Sequence, residues 1–390
     1  MSNLTIVTGP AGVGKSFHLS QKVKELTAMG KRVVVCAPTG IAARNVNGVT
    51  IHKLFGVYNN KPTMGFSKKE SLRKADYLVI DEFSMVGEKL LNLMSDALKE
   101  IMNNNQPFGG KNVFMYGDIL QIPPINENYF FDSSDFKVKD WHVIYFNEVK
   151  RQDDKTFIDI LNKVRTGDLS LADLKYLTDD SSQMNDSRLT LFPKRVDVQK
   201  MNNDRLDKLE GAEYQFSFQE VEGDDKAILD LFKSILTPQI LRLKKEARIM
   251  TTVNDPAGRF MNGSQGVFKD FNAEDQCLTI ELDDGKTVKV ERIEMGNYNE
   301  FNPCIIKQFP ISLAYSLTIH KAQGLTLDNY TVDFSGYWGS PSMVYVGLSR
   351  AKSRAGLFVK NLDLSFITVD KKAQNFERIL KCKHTDAPGV

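Results

Sequence analysis

Gly9-Pro10-Ala11-Gly12-Val13-Gly14-Lys15-Ser16 follows directly on the apolar run Leu4-Thr5-Ile6-Val7, and the reading of this junction decides the fold. Glycines let backbone N–H groups turn toward an anion at a helix N-terminus, the lysine adds charge near β- and γ-phosphates, and the adjacent hydroxyl can ligate Mg²⁺. The stretch predicts a nucleoside triphosphate site, for ATP or GTP, in place of an ordinary strand-to-helix turn.

Working outward, short β-branched runs recur at Val33–Cys36, Tyr77–Ile80, Val113–Tyr116 and Val143–Phe146, with longer helical stretches between them. Strands alternating with helices predict a parallel sheet covered on both faces. After Glu148 comes a helical stretch, Thr156–Val164. The runs Leu189–Phe192, Arg248–Thr252, Ile311–Leu317, Thr331–Phe334 and Gly356–Val359 then suggest a second α/β sheet. Between these, Cys277–Leu282 and Thr287–Val290 flank Asp283-Asp284-Gly285, an Asp-Gly hairpin signal, so a small inserted β-barrel is expected. Asp370 reads as the cap of a closing helix that runs to Lys383. Gly/Pro/Asn-rich stretches near 56–67 and 103–111 read as surface loops, the first being the better candidate for a small functional insertion.

The 390 residues, 42% hydrophobic and 26% charged, suit a soluble globular chain with more than one core. No apolar run approaches the ~20 residues needed to span a bilayer, and the amino terminus lacks a secretory pattern, so a cytoplasmic location without membrane association is expected. Cys36, Cys277, Cys304 and Cys382 have neither zinc nor redox spacing. A net charge of +2 neither announces nor excludes a nucleic-acid partner, because a motor that steps and releases can concentrate its cations in a groove.

Asp81-Glu82 ends the run Tyr77–Ile80, where Asp81 could hold Mg²⁺ and Glu82 could polarise an attacking water. The plain alternative is a solvated acidic strand end, which the upstream glycine loop disfavours. In Gly117-Asp118-Ile119-Leu120-Gln121-Ile122-Pro123-Pro124, the Gln121 amide can donate to a γ-phosphate and accept from water, or the loop is simply stiffened by its prolines. Arg151 and Arg350 are isolated arginines, ordinarily surface residues. Phosphoryl transfer nevertheless gains much from an arginine that another domain supplies.

Taken together, the motifs resemble superfamily-one helicases of the class that includes RecD and phage Dda, and most closely the PIF-type DNA helicases. Ala37–Ala43 and Gly48–Gly56 resemble the family's first DNA-contacting motifs, and Asp81–Val86 and Gly117–Pro124 its second and third. Glu148-Val149-Lys150-Arg151-Gln152 with Val164-Arg165-Thr166-Gly167 is similar to a PIF-type stretch. Ile319–Asp328 and Tyr345–Ala351 match the fifth and sixth motifs.

The resemblance implies two RecA-like parallel-sheet domains with a small inserted SH3-like β-barrel. The ATP-binding domain would be 1–147 with a wedge insertion near 56–73, the second domain 148–261 and 311–390, and the insertion 262–310. It also implies ATP with Mg²⁺, 5′-to-3′ movement on single-stranded DNA, unwinding at duplex junctions, and a monomer. By position, Gly9, Pro10, Ala11, Gly12, Val13, Gly14, Lys15 and Ser16 hold nucleotide, and Ser16 and Asp81 hold the metal. Glu82, Gln121, Arg151 and Arg350 are the catalytic candidates; Pro38, Thr39, His52, His320 and Lys321 are those for DNA. For His52 a packed histidine beside Ile51 and Leu54 is an equal alternative. Tyr58 and Phe66 are possible stacking tips of the wedge. A single-strand-stimulated translocase with little unwinding is the second expectation, and a phosphate-loop kinase or switch the third. Family members carry a glutamine-bearing motif ahead of the phosphate loop, where this sequence has eight residues before Gly9, so weaker discrimination of ATP from GTP is expected.

Overall fold

The computed structural model describes residues 4–58, 61–62, 64–137, 141–178, 188–223, 225–235, 237–253, 255, 257–260, 263–297 and 304–383. Its first half is a parallel sheet of β1 (Leu4–Thr8), β2 (Val33–Ala37), β3 (Val49–Thr50), β4 (Tyr77–Ile80), β5 (Asn112–Gly117) and β6 (Trp141–Tyr145). The spatial order is β3-β2-β4-β5-β1-β6. Successive side chains of a strand face opposite sides, so each run feeds two cores. Ile6, Leu78, Ile80 and Met115 pack with Leu91, Met94 and Leu98 of helix Glu88–Met102, whereas Val7, Val79 and Tyr116 pack with Leu19 of helix Lys15–Ala28. Because β4, β5 and β1 are neighbours, the loops leaving their carboxyl ends meet: the acidic pair, Gly117–Pro124 and the glycine loop. Ligands of open α/β sheets bind at such edges.

The second half is built around β7 (Leu189–Phe192). An excursion follows through β8 (Arg248–Thr251), β9 (Gln265–Asn272), β10 (Cys277–Leu282), β11 (Thr287–Glu291) and β12 (Ile311–Leu313). The chain then returns as β13 (Ser316–Thr318), β14 (Tyr330–Asp333) and β15 (Leu357–Lys360), which form a parallel sheet in the order β13-β7-β14-β15. The excursion carries a five-stranded antiparallel sheet ordered β11-β10-β9-β8-β12, beside smaller antiparallel sheets of 214–217 with 240–243 and of 219–222 and 293–297 with 304–308, and its core holds Leu241, Ile249, Phe268, Ile280 and Ile311. Its Asp-Gly hairpin forms as the sequence predicts, with Gly285 at φ 83° and the Leu282 N–H donating to the Lys286 carbonyl at 2.8 Å.

Two readings change. Arg248–Thr251 belongs to the antiparallel insertion and not to the second parallel sheet, and Ile311–Leu317 divides, its first part pairing with β8 and its last part with β7. A short apolar run carries no information about the direction of its partner strand. Helix Lys371–Lys383 begins at the expected cap, Asp370 Oδ1 accepting from the Lys372 N–H at 2.7 Å. It crosses back to the first half, where Ala373, Phe376 and Leu380 join the core beneath the first sheet. The expected wedge region holds a hairpin of Val57–Tyr58 and Lys61–Pro62 followed by helix Phe66–Lys74, with Phe66 78% exposed. The Tyr58 side chain lies outside the described residues. No helix among the described residues is long and apolar enough to cross a membrane.

Candidate active site

The loop after β1 takes its shape from glycine. At Gly9 a Cβ would lie 2.2 Å from the Phe146 carbonyl oxygen, and at Gly12, where φ is +83°, it would lie 2.8 Å from Arg151 Cβ. The segment after β6 therefore lies against the loop, and the N–H groups of Lys150 and Arg151 donate to the Gly12 carbonyl at 2.8 and 3.1 Å. Lys15 Nζ donates to the carbonyls of Gly9 and Pro10 at 2.8 and 2.7 Å. Burial pulls its pKa down to about 8, against the pull of Asp118 and Glu82. Ser16 is exposed at the start of the helix, and Val13 turns into the core.

Asp81, 5% exposed at the end of β4, has its pKa pushed up to about 8 by burial and by the neighbouring Glu82 carboxylate. Glu82 adopts a left-handed backbone, φ 50° and ψ 49°, which in a non-glycine residue stores about 1–3 kcal/mol of strain. The kink aims its carboxylate at the second half, where Gln323 Nε2 donates to Glu82 Oε2 at 3.2 Å and to Gln121 Oε1 at 3.3 Å. The Gln323 Oε1 atom is buried without a hydrogen-bond partner. Gln323 stood in a quoted motif, but its reach across the cleft has no local sequence signal.

These groups line one cleft of about 480 Å³, with Ala11, Gly12, Lys15, Ser16, Glu82 and Gln121 on one wall and Arg151, Gly324, Thr326, Arg350 and Lys352 on the other. Arg151 Nη1 donates to the Ser349 carbonyl at 2.7 Å, and burial beside Arg350 lowers its pKa to about 10. Arg350 is 2% exposed; its Nε donates to the Val346 carbonyl at 2.9 Å and its Nη2 to Ser349 Oγ at 2.8 Å. A phosphate chain on the glycine loop would thus meet cations from both halves, with a carboxylate and an amide beside it to orient water.

Beneath the cleft runs a buried ionic network that the motifs did not announce. Arg165 grips Asp118 through Nε at 3.1 Å and Nη2 at 2.7 Å, and also pairs with Glu377 of the closing helix. Tyr145 donates to Glu377 at 2.7 Å and Tyr345 to Asp118 at 3.2 Å, while the Ala11 N–H donates to the Tyr345 hydroxyl at 2.7 Å.

The DNA candidates fall on two surfaces. Pro38, Thr39 and His52 line a cleft of about 710 Å³ with Met85, Pro123 and Glu127. Thr39 Oγ1 accepts from the Ala42 N–H, and His52 is exposed between buried Ile51 and Leu54, which argues against a packed histidine. Lys321 lines a cleft of about 600 Å³ in the second half with Arg195 and Asn202. Its Nζ donates to the Ile235 carbonyl at 3.3 Å, and burial together with Arg195 brings its pKa down to about 8. His320 lies beside it, its ring parallel to that of Trp338.

A family model described as PIF1-like helicase matches residues 1–175, and one described as helicase matches residues 281–383. The ATP-dependent DNA helicase Pif1 of Bdellovibrio bacteriovorus is 30% identical over 387 residues, spanning 95% of this chain and 87% of that one. The chain belongs to the PIF1-like helicase family. Its helicase fold is also that of the solved Pif1 helicase from Candida albicans, with a TM-score of 0.85 at 29% identity, covering 97% of this chain and 96% of that one. Pif1 from Bacteroides, solved with ADP-AlF3 and single-stranded DNA, superposes with a TM-score of 0.75 at 30% identity, over 98% and 94% of the two chains.

Proposed function

We propose that the chain is an ATP-dependent DNA helicase that moves 5′ to 3′ on single-stranded DNA and separates duplex at junctions. The observation that carries this reading is the shared cleft, in which Lys15, Glu82 and Gln121 of one half face Arg151, Arg350 and Gln323 of the other. In this reading Lys15 and the glycine-loop N–H groups hold the β- and γ-phosphates. Glu82 accepts a proton from the attacking water while Gln121 orients it, and the two arginines stabilise charge that spreads onto the γ-phosphate oxygens.

Ser16, exposed at the start of its helix, and Asp81, at the end of β4, would hold Mg²⁺, which would offset the charge of the phosphates. Pro38, Thr39 and His52 on one surface and His320 and Lys321 on the other would hold the strand. The halves are read as 1–147 and as 148–261 with 311–390, save that β8 and β12 join the antiparallel sheet read as the SH3-like module and helix Lys371–Lys383 packs on the first half. The four cysteines stand far apart in the sequence without zinc or redox spacing, which supports a reducing, cytoplasmic setting.

The test is strand separation with ATP on matched duplexes bearing a 5′ tail, a 3′ tail or blunt ends. Unwinding of the 5′-tailed substrate alone is expected. Preference for the 3′ tail overturns the direction, and single-strand-stimulated ATP hydrolysis without separation of any duplex would favour a translocase.

A further inference from the structure

We infer that Trp338 is a base-stacking platform on the second half, taking the flat face of one nucleobase of the single strand; this rests on the single-stranded DNA reading proposed above. Three loops leave the carboxyl ends of neighbouring strands β13, β7 and β14, and each brings chemistry to the same edge. After β13 come His320 and Lys321, after β7 come Lys194 and Arg195, and after β14 comes Gly336-Tyr337-Trp338-Gly339. They converge. The positive charge of Arg195 acts on both His320 and Lys321, and a Cβ at Gly336 would lie 3.3 Å from Lys194 Nζ.

Within that third loop the two aromatic residues do different things. Tyr337 is an anchor: its hydroxyl lies within donating distance of the Ser340 and Phe366 carbonyls, 2.8 and 3.0 Å away, and its ring packs on Phe366 with centroids 4.6 Å apart. Gly336 and Gly339, at φ 70° and 84°, supply the left-handed turns that present the residue between them. Trp338 is left 51% exposed, its indole within 2° of parallel to the His320 ring with centroids 6.1 Å apart. A lone exposed tryptophan needs no explanation. One fixed by its neighbours and backed by a second ring, on a sheet edge that also carries Lys194, Arg195 and Lys321, complements what a single strand presents: flat bases on an anionic backbone. Base–aromatic stacking of this kind tolerates any sequence, as a motor requires.

The experiment uses the chain's only two tryptophans, Trp141 and Trp338. In a Trp141→Phe protein every tryptophan photon comes from Trp338. Titration with oligo-dT should quench that emission, while an abasic oligonucleotide of equal length should bind through its phosphates and quench much less. Trp338→Ala should weaken oligo-dT binding roughly tenfold or more, Trp338→Phe should largely restore it, and the Ala variant should no longer distinguish oligo-dT from the abasic strand. Melting temperatures confirm that the variants fold. If the parent binds oligo-dT with unquenched emission and Trp338→Ala binds equally well, the platform is overturned and the DNA reading stands. If the parent binds no single strand, the DNA reading itself falls, and the platform with it.

Discussion

At the scale of single residues, Glu82, the proposed base, has a strained left-handed backbone, a place at the end of β4, and contact with Gln323 from the opposite wall. Strain persists where the surroundings over-determine it, and here the buried Asp81 and Phe83 on either side fix the kink. Glu82→Gln keeps the size and the hydrogen-bonding outline but removes the proton acceptor. ATP binding should survive while turnover falls by roughly 10²–10⁴-fold, as for removal of a positioned general base. Equilibrium binding of labelled ATP beside single-turnover hydrolysis separates the two effects. Loss of binding would make Glu82 a ligand or a structural residue.

At the scale of elements, Arg165 ties the loop after β5 to the helix Lys371–Lys383, and so ties the two halves beneath the cleft. Removing one member of a buried ion pair leaves the other uncompensated, at a cost of about 3–5 kcal/mol, so Arg165→Met should lower stability by that order in urea unfolding. Burial by itself would raise the Asp118 pKa, but Arg165 overrides it and holds the carboxyl below its ordinary value. A depressed carboxylate stabilises the fold above its unfolded pKa of about 4, and that contribution is lost as pH falls through the lower folded value. The damage from Arg165→Met should therefore be larger at pH 7 than at pH 3. Equal damage at both would mean that Arg165 contributes packing and not charge.

The same element shows what the sequence disclosed. The cap at Asp370, the extent of the helix and the ends of β1, β4 and β7 were legible to within a residue or two, because hydrophobic period and capping are local signals. The docking of Phe376 on Phe131, with ring centroids 4.2 Å apart, was not, since nothing near residue 376 encodes a partner more than two hundred positions away. The cleft was legible through its motifs. The bonds that link them, from Tyr345 to Ala11 and from Gln323 to Glu82, arise only when two sheets meet.

At the scale of the whole molecule, the two halves touch through the nucleotide cleft itself. The Ala11 N–H donates to the Tyr345 hydroxyl at 2.7 Å, and Gln323 Nε2 donates to Glu82 Oε2 at 3.2 Å. Among the described residues Arg350 hydrogen-bonds to neutral acceptors of its own half, Val346, Leu325 and Ser349, and the Glu82 and Asp118 carboxylates act on its charge, so a γ-phosphate would be a further anionic partner for it. Under the proposed function, nucleotide would draw the halves together and loss of the γ-phosphate would release them, which is how hydrolysis would become movement. Arg350→Ala should consequently lower turnover far more than ATP affinity. Arginines supplied across domains are worth about 10³–10⁵ in rate, an upper guide here because Arg151 shares the cleft. The residue is buried on a helix whose Tyr345 and Leu348 are also buried, so thermal unfolding has to be compared first to separate a folding defect from a catalytic one. A folded Arg350→Ala protein that kept both DNA-stimulated hydrolysis and unwinding would remove the arginine from the mechanism, and closure would then have to be read by Arg151 and Gln323 alone.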